Sequence, residues 1–404
     1  MNSPMRVMWL YEQTLARLDP RRLESESNET FAEGGLRTIV GDVDDLLDES
    51  SLDLTLSTDA YRMVHGSVKP SADQTYGWFL GKKDLAEKLT QDQDGSYLLR
   101  AKRTYIFKLR ERLERNLGEI GVYGQATAKS SVGRVDVLVR LIVSGMDTYE
   151  CFDPRGLTNQ SGDMYLEITP ITFAVRVRAG ISLSQLRFFY GNPHDVEVRS
   201  DVLYRTIFHD NKKRDGSLTV DLQNTTVGGL RAAAFCARAG AHQYDADAIP
   251  LWNVEEKPDP CRHWDLKESK ADRLTIETEQ FYILRSKEQI SVPEGIAIYC
   301  RASDETIGEM RIHYAGFVHP LFGRRRTDQQ KGTPLIFEVR GHQVNVSLAD
   351  GERMPTLTFY RISQDATGES TPTGYEQQTL QLSKFFGPWP ARLERSADGK
   401  IQAA

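Results

Sequence analysis

Two short stretches of the chain carry residues that could do chemistry. Lys129-Ser130-Ser131-Val132-Gly133-Arg134 sets two adjacent hydroxyls between two cations. At a turn, those groups and the neighbouring backbone N–H donors can cradle phosphate oxygens; the same six residues also suit a solvated polar turn. Farther on, Glu167 stands between Leu166 and Ile168 in a strand-like run. Strand alternation turns its carboxylate away from both neighbours, into an interior or an interface. A carboxylate there is costly unless paired, and Arg134 is the expected partner. Glu167 can then be a general base whose pKa is set by the arginine and by partial burial, or half of a structural ion pair.

The elements that must position these groups occur twice. Residues 165–188 (YLEITPITFAVRVRAGISLSQLRF) match 336–359 (IFEVRGHQVNVSLADGERMPTLTF) through Glu167/Glu338, Gly180/Gly351 and Phe188/Phe359. AKSSVGRVDV (128–137) pairs with ASDETIGEMRI (302–312), and Tyr105-Ile106 with Tyr282-Ile283. Short strands separated by turn signals predict a β-barrel or sandwich per copy, so a duplicated β unit is expected. Leu52, Leu54 and Leu56 alternate as a half-buried strand, and a short helix is expected near 82–90. The copies differ where polar chemistry would sit. Opposite Lys129-Ser130-Ser131 the second copy has Asp304-Glu305-Thr306, opposite Arg134 it has Glu309, and opposite Gln185 it has Thr356. Glu338 thus has no arginine of its own unit to match, and the anion site is expected in the first unit alone. In RIHYAGFVHPLFG (311–323), Tyr314, Phe317 and Phe322 are expected to be core residues of a hairpin.

The 404 residues suffice for two or three domains, and 39% hydrophobic with 27% charged residues is ordinary for a soluble protein. A net charge of −6 argues against a nucleic-acid backbone or an anionic membrane as main partner. No long apolar run or leader pattern is present, so a cytoplasmic location is expected. The first 30 or so residues read as an amphipathic helix and a polar linker. Cys151, Cys236, Cys261 and Cys300 form no C-x-x-C pair; Cys261-Arg262-His263 lacks a partner pair, so no zinc site is expected. The expected divisions are an N-terminal extension (1–34), a first unit (35–200), a connecting segment (201–270), a second unit (271–363) and a C-terminal tail (364–404).

Taken together, SLDLTL (51–56), KSSVGR (129–134), YLE (165–167), G-x-x-x-S-Q-L (180–186) and the terminal L-S-K-x-F resemble the dCTP deaminase branch of the trimeric dUTPase superfamily. More narrowly, the chain resembles a long bacterial form with two fused units, over most of residues 35–386. This implies a mainly β fold: two tandem dUTPase-like β-barrel or β-clip units with few short helices. It implies hydrolytic deamination of dCTP to dUTP and ammonia without zinc, and the H-x-E and P-C-x-x-C pattern of zinc deaminases is absent. Carried over by position, Glu167 activates water at cytosine C4, Ser130 holds that water or the amino group, and Arg134 fixes the glutamate. Lys129, Ser131 and Gln185 contact the triphosphate, and Tyr375 and Gln378 close over the nucleotide. Mg2+ comes with the triphosphate as its counter-ion. Family sites form between neighbouring units, so a homo-oligomer, a trimer of two-unit chains, is implied, with dTTP as a candidate feedback ligand. The chain departs from short relatives at Gly374, where they carry a lysine, and in FDPRGLTNQSG between Arg134 and Glu167. A dUTP diphosphatase working through Asp153, a bifunctional deaminase releasing dUMP, and a non-catalytic nucleotide-binding regulator are the alternatives.

Overall fold

The computed structural model describes residues 51–113, 121–157, 162–190, 201–208, 215–238, 245–293, 296–302, 310–313, 332–361 and 379–404, with a few isolated residues between them. Within the first 50 residues it describes only the strands Pro4–Met5, Thr30–Phe31, Leu36–Thr38 and Leu47–Asp48, so the N-terminal helix expected there lies outside the described residues. Among the described residues no helix is long and apolar enough to cross a membrane.

The first unit is built from long antiparallel strands. Ser51–Met63 extends the expected Leu52-Leu54-Leu56 strand, and those three leucines are fully buried. Tyr105–Leu113, Gly162–Pro170 and Val137–Val143 lie side by side, with Gly162–Pro170 in the middle. Ser182–Tyr190 is held between Ser51–Met63 and Val122–Ala128. Alternation then divides the Glu167 strand: Met164, Leu166 and Ile168 enter the main core, while Tyr165 and Glu167 face the other way. Residues 82–90 hold a strand, Ala86–Lys88, and the short helix comes earlier, at Tyr76–Leu80. The helix sits there because Tyr76 and Leu80, one turn apart, bury against Tyr165 and Ile106.

The second unit repeats this plan. Thr333–Gly341, the strand of Glu338, lies between Phe281–Ile290 and Met310–His313. Arg353–Arg361 pairs with Ile296–Ala302, as Ser182–Tyr190 does with Val122–Ala128. Ser217–Thr219 joins the edge of Arg353–Arg361, and Ala234–Ala237 joins Phe281–Ile290. Strands from the stretch between the repeats therefore complete the second unit's sheets. Both copies keep the same buried polar staple. Thr55 donates through N and Oγ1 to Glu111, and Thr219 donates in the same way to Glu288, at 2.6 and 2.7 Å. A buried carboxylate needs such donors, and even so burial pushes Glu111 up to about 7.

The units meet along a broad seam. Arg187 is 2% exposed; its Nη1 donates to Thr127 Oγ1 at 2.9 Å and to Tyr299 Oη of the second unit at 3.4 Å. Its guanidinium lies 3.3 Å from the centre of the Phe317 ring, a cation–π contact in a desolvated setting. Phe317 and Phe322 are buried as expected, while Tyr314 lies outside the described residues. The C-terminal stretch crosses back to the first unit: Leu380, Phe385, Phe386, Leu393 and Ile401 belong to the main core. Phe386 packs against Trp264, Phe173 and His263, with ring centres 5.3–6.2 Å apart.

Candidate active site

The two glutamates occupy equivalent strand positions and have opposite surroundings. In the first unit the register sets Glu167 opposite Arg140 and Ile106. Arg140 Nε donates to Glu167 Oε1 at 2.9 Å, Ser67 Oγ donates to Oε2, and Tyr149 Oη reaches Oε2 at 3.4 Å. The Arg140 guanidinium also stacks 4.0 Å above the Tyr149 ring centre. Tyr76, Leu80 and Ala86, from the segment after Met63, cover this face, and Glu167 is 1% exposed. The expected Arg134–Glu167 pair does not form: the ion-pair partner of Glu167 is Arg140 and that of Arg134 is Glu338. Val137–Val143 puts Arg140 on the face that Glu167 shares, whereas Arg134 precedes the strand and reaches the seam.

In the second unit the position opposite Glu338 is His313 on one side and Ile283 on the other. The even-numbered face of this strand turns toward the first unit, since Ile283 and Ile336 pack into the first unit's core. The first-unit side chain that meets Glu338 is Arg134, at the end of the Ser130–Gly133 turn. Arg134 Nε stands 3.9 Å from Glu338 Oε1, and both side chains are buried. Two residues on, Arg340 binds Asp136 and Thr172 of the first unit and donates to Glu279 O at 2.6 Å, fixing the turn against the strand. Burial pushes the Glu338 carboxyl up to about 8, with Arg134 holding it partly down. The nearby Cys300 thiol goes up to about 12, through burial and the charge on Glu338, and stays neutral.

Ser130–Gly133 forms a single helical turn, with Val132 and Gly133 buried and Lys129, Ser130 and Ser131 half-buried at its mouth. Lys129 pairs with Asp53, which also accepts from Gln185 Nε2 at 3.3 Å. Gln185 Oε1 in turn accepts from Arg187 Nη2 at 3.2 Å. Lys129 and Gln185 thus meet on Asp53 beside the Ser130–Gly133 turn, and the carboxylate paired with Arg134 at the end of that turn is Glu338 instead of the expected Glu167. Tyr375 and Gln378 lie outside the described residues. His263, once a conceivable metal ligand, faces two backbone carbonyls, Asp259 O at 3.1 Å and Asp247 O at 3.2 Å.

The sequence profile of the dCTP deaminase N-terminal domain matches residues 27–192, and that of the C-terminal domain matches 196–386. The chain belongs to the 2′-deoxycytidine 5′-triphosphate deaminase family. A solved dCTP deaminase structure from Agrobacterium tumefaciens has its fold, with a TM-score of 0.71 at 23% identity over 90% of this chain and 99% of that one. A native EIAV dUTPase, at 13% identity over 27% of this chain and 81% of that one, has a TM-score of 0.18, too low to carry an argument. Among curated proteins none matches the chain in sequence. The mainly β, two-unit architecture expected of a long dCTP deaminase is thus present. One signal for Glu338 was in the sequence: a glutamate kept in a unit that has Glu309 in place of the arginine must draw its cation from elsewhere.

Proposed function

We propose that this chain hydrolyses dCTP to dUTP and ammonia at the seam between its units, with Glu338 as general base. The observation that carries this is the burial of Glu338 against Arg134, beside the Ser130–Gly133 turn. Cytosine C4 is a poor electrophile, so water must lose a proton as it attacks while N3 gains one. A carboxyl near 8 is a strong enough base to take that proton and pass it to N3 as the C4–O bond forms. Glu338 then takes the proton of the C4 hydroxyl and gives it to the amine as the C4–N4 bond breaks, so C4 becomes a carbonyl and ammonia leaves. Arg134 limits the cost of the buried negative charge, and Ser130, the first residue of the same turn, is the group assigned to hold the water or the amino group. Lys129, Ser131 and Gln185 face the triphosphate, which brings Mg2+ as its counter-ion.

Both halves of this site come from one chain, so the expected trimer of chains is not required to complete it. Against the diphosphatase alternative, both oxygens of Asp153 are taken by Arg155, at 2.5–3.2 Å. The direct test incubates the protein with dCTP and magnesium, measures ammonia and separates the nucleotides. Ammonia with dUTP is expected; ammonia with dUMP would make the enzyme bifunctional, and no ammonia would overturn the proposal. Adding dTTP to the same assay tests feedback.

The pH profile gives a sharper check. The deprotonated carboxyl is the active form, so kcat/KM for dCTP should rise with pH and level off above about 8. Arg134 holds that carboxyl down, so Arg134→Gln should move the inflection upward as well as slow the reaction. A flat profile, or one unmoved by Arg134→Gln, would count against Glu338 as the base.

A further inference from the structure

Arg134 and Glu338 face each other across the seam at 3.9 Å, beyond hydrogen-bond reach, so their attraction sets no angle between them. Two residues further along each segment stands a second pair, with the charges reversed. Asp136 is fully buried, and its Oδ2 accepts from Arg340 Nη2 and from Thr172 Oγ1. Arg340 also donates through Nη2 to Thr172 Oγ1 and through Nη1 to Glu279 O, the latter at 2.6 Å. The backbone of Asp136 belongs to the end of the turn: its N donates to Gly133 O at 2.8 Å, and its carbonyl accepts from Ile171 N at 2.9 Å. Its φ of +55° is a left-handed conformation that aspartate tolerates better than most residues. The start of the turn is held separately. Buried Ser383, on the C-terminal strap (379–404), donates through Oγ to Ser131 O at 2.6 Å.

The duplication gives the second pair its meaning. Both units carry the glutamate, at 167 and 338, so the glutamate alone does not tell the turn which strand to meet. Two residues on, the strands differ. Where the second unit has Arg340, the first has Thr169, whose hydroxyl bonds that of Thr104 at 3.0 Å. A buried carboxylate is costly unless it is paired, and of the two strands only the second unit's offers Asp136 a cation at this position. We propose that Asp136 and Arg340 are positioning residues for the deamination: their bond selects the second unit's strand for the turn and holds Arg134 in register with Glu338. The kinetic part rests on Glu338 as the base in the deaminase reading, whereas the selection of the strand does not.

The test uses the full chain as Asp136→Asn, Arg340→Met, Arg340→Lys and the double variant Asp136→Asn/Arg340→Met. Asparagine keeps the left-handed backbone and an acceptor for Thr172 but loses the charge. With dCTP, Asp136→Asn and Arg340→Met should lower kcat about tenfold or more and change KM less than about threefold, while Arg340→Lys recovers most of kcat. Each single substitution leaves a buried charge unpaired and should lower the melting temperature; the double variant removes both charges and should melt nearer to wild type. Its kcat should stay low. Recovery of kcat together with stability would make the pair merely structural and overturn the inference. In an Arg134→Gln background, Arg340→Met should lower kcat by less than about twofold more, because the arginine it positions is gone. Full multiplication of the two losses would likewise count against it. Hydrogen exchange needs no turnover: amides of residues 132–136 should exchange faster in the double variant than in wild type. If wild type released no ammonia, the reaction would fall while faster exchange still upheld the clamp; unchanged exchange would remove the clamp whatever the activity.

Discussion

Glu338→Gln should bind dCTP and lose about three orders of magnitude in kcat, the range expected when a general base is removed. The amide keeps the size of the side chain and one acceptor for Arg134, but takes no proton from water. Its stability should move the other way at high pH. The carboxyl titrates near 8 when folded against an ordinary value of 4.5, so its folded-state pKa is raised. Stability linked to a raised pKa is fully present below the unfolded value and is lost as pH rises through the folded one. The wild type should therefore lose roughly 4 kcal/mol between about pH 4.5 and 8 through this group, a loss that Glu338→Gln avoids. Glu167→Gln gives the contrast. It should keep kcat within a few-fold while lowering stability by about 1–3 kcal/mol, since Arg140 and Ser67 lose their carboxylate. Kinetics and pH-dependent thermal unfolding of the two variants decide between the glutamates: a dead Glu167→Gln beside an active Glu338→Gln would reverse the assignment.

Phe386→Ala should cost about 3–5 kcal/mol of stability, the usual range for emptying a buried aromatic site. Phe386 is 5% exposed and touches Phe173, His263 and Trp264, so its removal opens a cavity between the strap and both units. Removing residues 379–404 altogether should prevent cooperative folding, because Leu380, Phe385, Phe386, Leu393 and Ile401 leave the core together. If 364–404 were a tail whose Tyr375 and Gln378 close over the nucleotide, its deletion would sharply raise the KM for dCTP. The described part of that stretch is structural, so the midpoint of thermal or urea unfolding is the informative measurement. A Phe386→Ala protein as stable as wild type would show that the strap is a removable cover.

The sequence carried the β architecture, the duplication and the face on which each glutamate lies, because strand alternation and repeat spacing are local properties. Leu166 and Ile168 pointing one way and Glu167 the other followed from period two alone. Which cation meets which carboxylate did not follow. Arg140 opposite Glu167 depends on the register of two strands, and Arg134 against Glu338 depends on docking between opposite halves of the chain. The misplaced short helix has the same origin: residues 76–80 turn helical where Tyr76 and Leu80 can cover Tyr165, a tertiary demand that local composition does not express. Asp136 and Arg340 were visible as charges two residues from Arg134 and Glu338, but only the docked seam shows that they meet.

The same face of the repeat is covered by its own segment in the first unit and meets Arg134 of the neighbouring turn in the second. After such a duplication each copy is released from keeping what its sister supplies, so the cations opposite Glu309 and the catalytic duty of Glu167 could lapse independently. With Glu338 as the proposed base and Arg134 as its cation, neither copy is a spare. Because the surviving halves belong to one polypeptide, mixing Glu338→Gln chains with Arg134→Gln chains should restore no activity, as genetic complementation would require a site shared between molecules.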